Sequence, residues 1–141
     1  MQRHDITLLM LALAEGRPYS PVQIQKAMFL ADDKIPEAFD SRYHFEPYDY
    51  GPFDRHVYID IEDMQERGLT EIRMSPRGWN LYEATREGQG RASALSGDLT
   101  AGQRVMLRRI SRLVLSLSFS DLLSAIYKGY PHMRERSVFR D

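Results

Sequence analysis

The chain has 141 residues, 43% of them hydrophobic and 28% charged, which is the composition of one globular domain able to bury a core without covalent staples. It contains no cysteine, which excludes disulfides and thiolate metal or redox sites and suits a reducing, cytoplasmic setting. Net charge is −1, but a cut after Ile72 leaves seven Lys/Arg against fourteen Asp/Glu before it and twelve against six after it, so an acidic part precedes a basic one; sixteen of the nineteen bases are arginine. Arginine forks suit phosphate or carboxylate partners, although genomic base composition explains the same bias equally well.

The apolar segment after Asp5 is about ten residues long, too short and too interrupted to span a bilayer, and no small-residue cleavage site follows it, so no membrane association is expected. Ile6, Leu9, Met10 and Leu13 fall at helical spacing and predict a first helix that stops at Gly16. Ser20, Pro21 and Gln23 predict the capped start of a second, with Ile24, Ala27, Met28 and Ala31 along its stripe to about Asp33. Residues 34 to 42 read as a connection anchored by Phe39. Tyr43, Phe45 and Tyr48 alternate like a short edge strand limited by Pro47.

Gly51-Pro52 predicts a turn, and Asp54 the cap of a third helix whose apolar side is Val57, Ile61 and Met64 and which Gly68 closes. Leu69 to Met74 and Trp79 to Glu83 flank Ser75-Pro76-Arg77-Gly78, a β-hairpin pattern with the sole tryptophan read as a core clamp. Thr85 caps a helix expected to be short or frayed, because Gly88 and Gly90 each cost about 1 kcal/mol against alanine. Thr100 opens a long helix with Met106, Ile110, Leu113, Val114 and Leu117 on one side. A last helix from about Ser120 carries Leu122, Leu123, Ile126 and Tyr127 to a left-handed cap at Gly129, and the remaining residues read as a tail. The fold class expected is α+β, mostly helical: a winged helix-turn-helix-like core over residues 1–97 with a hairpin wing, and a C-terminal helical extension over 98–141 packed on it as a single domain.

In a DNA-reading winged helix the third helix enters the major groove. Here that helix carries Asp54, Asp60, Glu62, Asp63 and Glu66 against Arg55 and Arg67, so phosphate repulsion opposes groove reading and a protein partner is favoured. The protein-contact residues expected are Tyr48, Tyr50 and Phe53 of the aromatic turn with Arg55, Asp60, Asp63 and Arg67 of the helix. If duplex DNA is bound, the contacts expected are Arg73 and Arg77 of the wing and Arg104, Arg108, Arg109 and Arg112 on one side of the long helix. That basic side equally suits an acidic protein surface, a second copy in a homodimer, or solvent. The four histidines are scattered without a metal-ligand pair, and no Gly-rich phosphate loop is present, so neither an enzyme nor a cofactor is expected. His44, Glu46, Asp49 and His56 are metal-compatible in type only.

Val22-Gln23-Ile24-Gln25-Lys26-Ala27-Met28-Phe29-Leu30, Tyr50-Gly51-Pro52-Phe53, the Gly68-Leu69 helix end, the Thr85-x-x-Gly88 step and Ile126-Tyr127-Lys128-Gly129-Tyr130-Pro131 together resemble two related groups. One is the uncharacterised bacterial YwgA-like proteins, which imply no activity. The other is the Panacea (SocA-like) antitoxin domain, which implies a bacterial module that neutralises a toxin by direct contact.

Overall fold

Local capping signals fix where most helices begin. In the computed structural model, which describes residues 1–139, Ser20 Oγ accepts from Gln23 N while Gln23 Oε1 accepts from Ser20 N, and Thr100 and Gln103 repeat the same reciprocal box. These boxes open α2 (Pro21–Lys34) and α5 (Ala101–Ser116). The remaining helices are α1 (Arg3–Ala12), α3 (His56–Glu66), α4 (Arg86–Ser96) and α6 (Phe119–Gly129). Two antiparallel hairpins complete the α+β fold: β1 (Glu46–Tyr48) with β2 (Gly51–Phe53), and β3 (Thr70–Met74) with β4 (Asn80–Ala84).

The core is one apolar cluster. It contains Ile6, Leu8 and Met10 of α1, Ile24 and Met28 of α2, Val57, Ile61 and Met64 of α3, and Leu107, Ile110, Val114, Leu122 and Leu123 of the last two helices. Tyr19 ties it together: its backbone bridges Tyr82 of β4 at 2.8 and 2.9 Å, while its buried hydroxyl donates to Met10 O and shares a 2.6 Å bond with Ser111 Oγ. Burial raises that phenol to about 12, so it stays neutral and hydrogen-bonded inside the core.

Several expectations change. Gly51 and Pro52 do not form the turn; they belong to strand β2, and the turn is Asp49–Tyr50, because Gly51 at φ +90° lets the chain reverse one step earlier. Residues 36 to 38 form a single 3-10 turn, and Phe39 is buried beside it as expected. Helix α4 runs a full eleven residues despite its glycines. A Cβ on Gly88 would lie 2.0 Å from the Leu69 carbonyl oxygen, so the lost propensity is exchanged for close approach of α4 to the base of the β3–β4 hairpin. On α5 the buried face is Leu107, Ile110, Ser111 and Val114, whereas Leu113 is half exposed. Gly129 does not adopt the left-handed cap. The residues after it are not a free tail: Pro131–Arg134 forms a 3-10 turn and the chain then docks on the β1–β2 hairpin, while the last two tail positions, 140 and 141, lie outside the described residues.

Candidate binding cleft

Lys26 sits in the middle of α2, inside a run from Ile24 to Asp32 in which every residue is buried. Its exposure is 2%. The ammonium group donates to the Pro52 carbonyl at 3.1 Å, and no carboxylate among the described residues comes within ion-pairing distance of it. Burial without a counter-ion lowers its pKa to about 7, so near neutrality the amine is poised between charged and neutral forms.

The neighbouring residues fix this arrangement. Gln25 clamps the backbone of Asp54 with two bonds, Nε2 to Asp54 O at 2.9 Å and Asp54 N to Oε1 at 3.0 Å, which anchors the chain between β2 and α3 against α2. The Asp54 carboxylate then accepts from His44 N at 2.7 Å, and from His56 N and His56 Nδ1 at 2.9 Å each. Burial opposes its ionisation, yet these bonds outweigh that cost and hold the carboxyl below its ordinary value. Asp54 therefore does cap α3, two residues ahead of His56, the first residue of the helix. On the other side of Lys26, a Cβ on Gly51 would meet Tyr127 Cε1 at 3.2 Å and Lys26 Cε at 3.6 Å. Glycine is thus favoured there by its left-handed backbone, and a side chain would also crowd the Tyr127 ring.

Above Lys26 opens a cleft of about 670 Å³. The first turn of α2 forms one wall with Pro21 and Val22, the β1–β2 hairpin another with Tyr48, Tyr50 and Phe53, and Tyr58, Arg77, Trp79 and Phe119 close the rest. The rings are linked in a chain: Tyr48 stacks on Phe53 at 5.1 Å, Phe53 meets Tyr58 edge-on at 5.8 Å, and Tyr58 stacks on Tyr82 at 5.5 Å. On the far rim Tyr50 meets Phe119 edge-on at 5.5 Å. Such contacts are worth about 0.5–1.5 kcal/mol each beyond area burial, so they favour this arrangement of the walls.

The C-terminal segment braces the hairpin from outside. Val138 N donates to Asp49 O at 2.9 Å, Ser137 Oγ donates to the same carbonyl at 3.2 Å, and the Arg136 guanidinium lies 5.4 Å over the Tyr48 ring. Tyr127 donates to Ser137 Oγ at 2.6 Å and so ties α6 to this strap.

The residues expected from sequence divide sharply. Tyr48, Tyr50 and Phe53 line the cleft, with Arg77 joining them. Arg55, Asp63 and Arg67 are exposed on α3. Asp60 is not on that free face: it pairs with Arg3 at 2.9 Å and accepts from Tyr43 at 2.7 Å, because it turns toward α1. Arg73 pairs with Glu83 across the β3–β4 strands at 2.9 Å. Arg104 leaves the basic face, since its guanidinium bonds the carbonyls of Ser96 and Leu99 at the end of α4; Arg108, Arg109 and Arg112 remain exposed. Trp79 is a half-exposed rim residue rather than a core clamp. Among the described residues no three His, Asp or Glu side chains gather as a metal site.

Lys26 and Phe119 were missed. A signal existed for Lys26: Val22, Ile24, Ala27, Met28, Phe29, Leu30 and Ala31 surround the helix with apolar residues, and a helix apolar on all sides is interior, so its lysine must be interior too. Neither the family models nor the curated proteins searched contain a match to this chain.

Proposed function

We propose that this chain is a winged-helix-like interaction module that acts by protein contact, with the aromatic cleft rim and the adjoining exposed flank of α3 as its contact surface. The observation that carries this reading is the half-exposed aromatic rim. Tyr48, Tyr50, Trp79 and Phe119 are 44%, 44%, 43% and 47% exposed, and they converge from two hairpins and the start of α6 on one cleft. Aromatic residues concentrated at a surface are the signature of interface centres, and charged residues that of their rims. Arg55, Glu62, Asp63, Glu66 and Arg67 supply such a rim.

The winged-helix reading is supported by the element order and by the Tyr19–Tyr82 bridge, which sets a third extended segment, from between the first two helices, against the β3–β4 hairpin as a wing would require. The acidic flank of α3 disfavours insertion into a phosphate-lined groove. An antitoxin-like role then means that a toxin docks on the aromatic rim. Co-expression with the product of a neighbouring toxic gene tests it: the wild-type chain should restore growth, and Tyr50→Ala with Trp79→Ala should abolish rescue while the protein remains folded. Rescue undiminished by the double substitution would remove the rim from the interface.

A second reading rests on one observation: Arg108, Arg109 and Arg112 form an exposed cluster on α5 without an ion-pair partner among the described residues. As phosphate contacts they would give duplex binding that weakens steeply with salt. Unchanged binding in Arg108→Ala/Arg112→Ala would exclude it.

A further inference from the structure

Beneath the aromatic rim lies a site that protein contact does not require. Lys26 forms part of the cleft lining, is nine-tenths or more buried, and makes only the single bond to Pro52 O out of the three donors an ammonium offers. The polar groups beside it are already engaged: both polar atoms of the Gln25 amide hold the Asp54 backbone, and the Tyr58 hydroxyl donates to Pro21 O at 3.3 Å. A buried cation with unfilled donors is costly unless a ligand completes it.

The charged and titratable groups around this amine come from every wall. They are Asp49, Tyr48 and Tyr50 on the hairpin, Tyr58 on α3, Arg77 on the β3–β4 turn and Tyr127 on α6. Two of the groups facing the cleft, Lys26 and Arg77, are cationic, and Asp49 alone is acidic and sits exposed at the hairpin turn. The volume of about 670 Å³ falls in the range of small-ligand sites, which are mainly apolar with a few placed polar groups.

The geometry points to a small organic acid with an aromatic body as the ligand of this cleft, its carboxylate bound to Lys26 Nζ at the floor and its ring among Phe53, Tyr58 and Trp79. The carboxylate would fill the open donors of the ammonium and neutralise it in a low-dielectric site, where such a pair is strongest. The ring would continue the existing sequence of edge and stacked contacts. Because a bound carboxylate favours the charged amine, binding near and above neutrality takes up a proton at Lys26. The inference shares Trp79 with the protein-contact surface but is read out separately, since the titration of Lys26 by a small acid reports on the floor of the cleft whether or not a protein docks on its rim.

The test uses the full chain with 3-phenylpropionate and its neutral counterpart 3-phenylpropionamide as probes, followed by calorimetry or NMR titration. At pH 6.5 the carboxylate should bind at least about tenfold more tightly than the amide. The preference should vanish in Lys26→Met, whose fold is checked by circular dichroism. The chain contains three lysines, at positions 26, 34 and 128, so ¹³Cε labelling resolves Lys26 in the wild type without any substitution. Saturation with phenylpropionate should raise the pH of its titration midpoint by at least about one unit, and affinity should fall about tenfold per pH unit once the free protein has shed the proton. Equal affinity for acid and amide, a preference that survives in Lys26→Met, an unmoved Lys26 midpoint, or no binding of either probe at millimolar concentration would each overturn the proposal.

Discussion

The two hairpins of this protein are stabilised in opposite ways. The β3–β4 hairpin has five paired residues per strand, a four-residue turn with Pro76 and with Gly78 at φ +96°, and a cross-strand Arg73–Glu83 pair; its own sequence specifies its turn and register, and the fold adds support at Tyr82, through the Tyr19 bridge and the Tyr58 ring, and at its base against Gly88. The β1–β2 hairpin pairs only three residues per strand, the middle one of each a proline, so it lacks the ladder to stand alone. It persists because α2, α6 and the C-terminal strap hold it, through Lys26 on Pro52, Tyr127 against Gly51 and Val138 on Asp49. The cleft is built where the longer hairpin's tip faces the dependent one, and that dependence couples the aromatic wall to the rest of the molecule.

The largest break in this comparison should come at the base of the stronger hairpin. Gly88→Ala places a methyl 2.0 Å from the Leu69 carbonyl oxygen and should cost about 3 kcal/mol in urea unfolding by forcing α4 off the hairpin. Next is Lys26. Its pKa is lowered from 10.5 to about 7, so between these values the unfolded chain holds a proton that the folded chain has released, and stability rises with pH. From pH 7 to pH 9 the wild type should gain on the order of 2 kcal/mol from this residue, and Lys26→Met should be more stable at pH 6.5 and lack that rise. A wild-type profile that is flat over this range would mean the amine is not desolvated as described.

Truncation after Arg134 removes Arg136, Ser137 and Val138 and so releases Asp49 and the Tyr127 hydroxyl. It should lower stability by roughly 2 kcal/mol. Hydrogen exchange locates the effect: amides of β1–β2 should lose protection while those of β3–β4 keep theirs, and equal loss in both would erase the distinction between the hairpins. Smallest is Arg73→Ala, which breaks a half-exposed ion pair in the hairpin that does not need it and should change stability by less than about 0.5 kcal/mol.

The sequence alone determined what depends on neighbours along the chain. The capping box at Ser20, the cap at Thr100, the apolar stripes of α1, α2, α3 and α6, the β3–β4 turn and the buried Phe39 all follow from spacing and turn chemistry, whose physics is local. The acidic bias of α3 and one wall of the cleft, Tyr48, Tyr50 and Phe53, were legible for the same reason. Only the tertiary structure decided the rest. Asp60 and Arg104 read as exposed charges until α1 and the end of α4 supplied partners. Trp79 read as core until the hairpin held it at a rim, and the segment after Gly129 read as a tail until hydrogen bonds fastened it to Asp49. Lys26, an ordinary helical lysine by composition, became a buried amine because residues 25 to 30 positions later in the chain fold over it, and the environment that shifts a pKa is set by what surrounds a group in space.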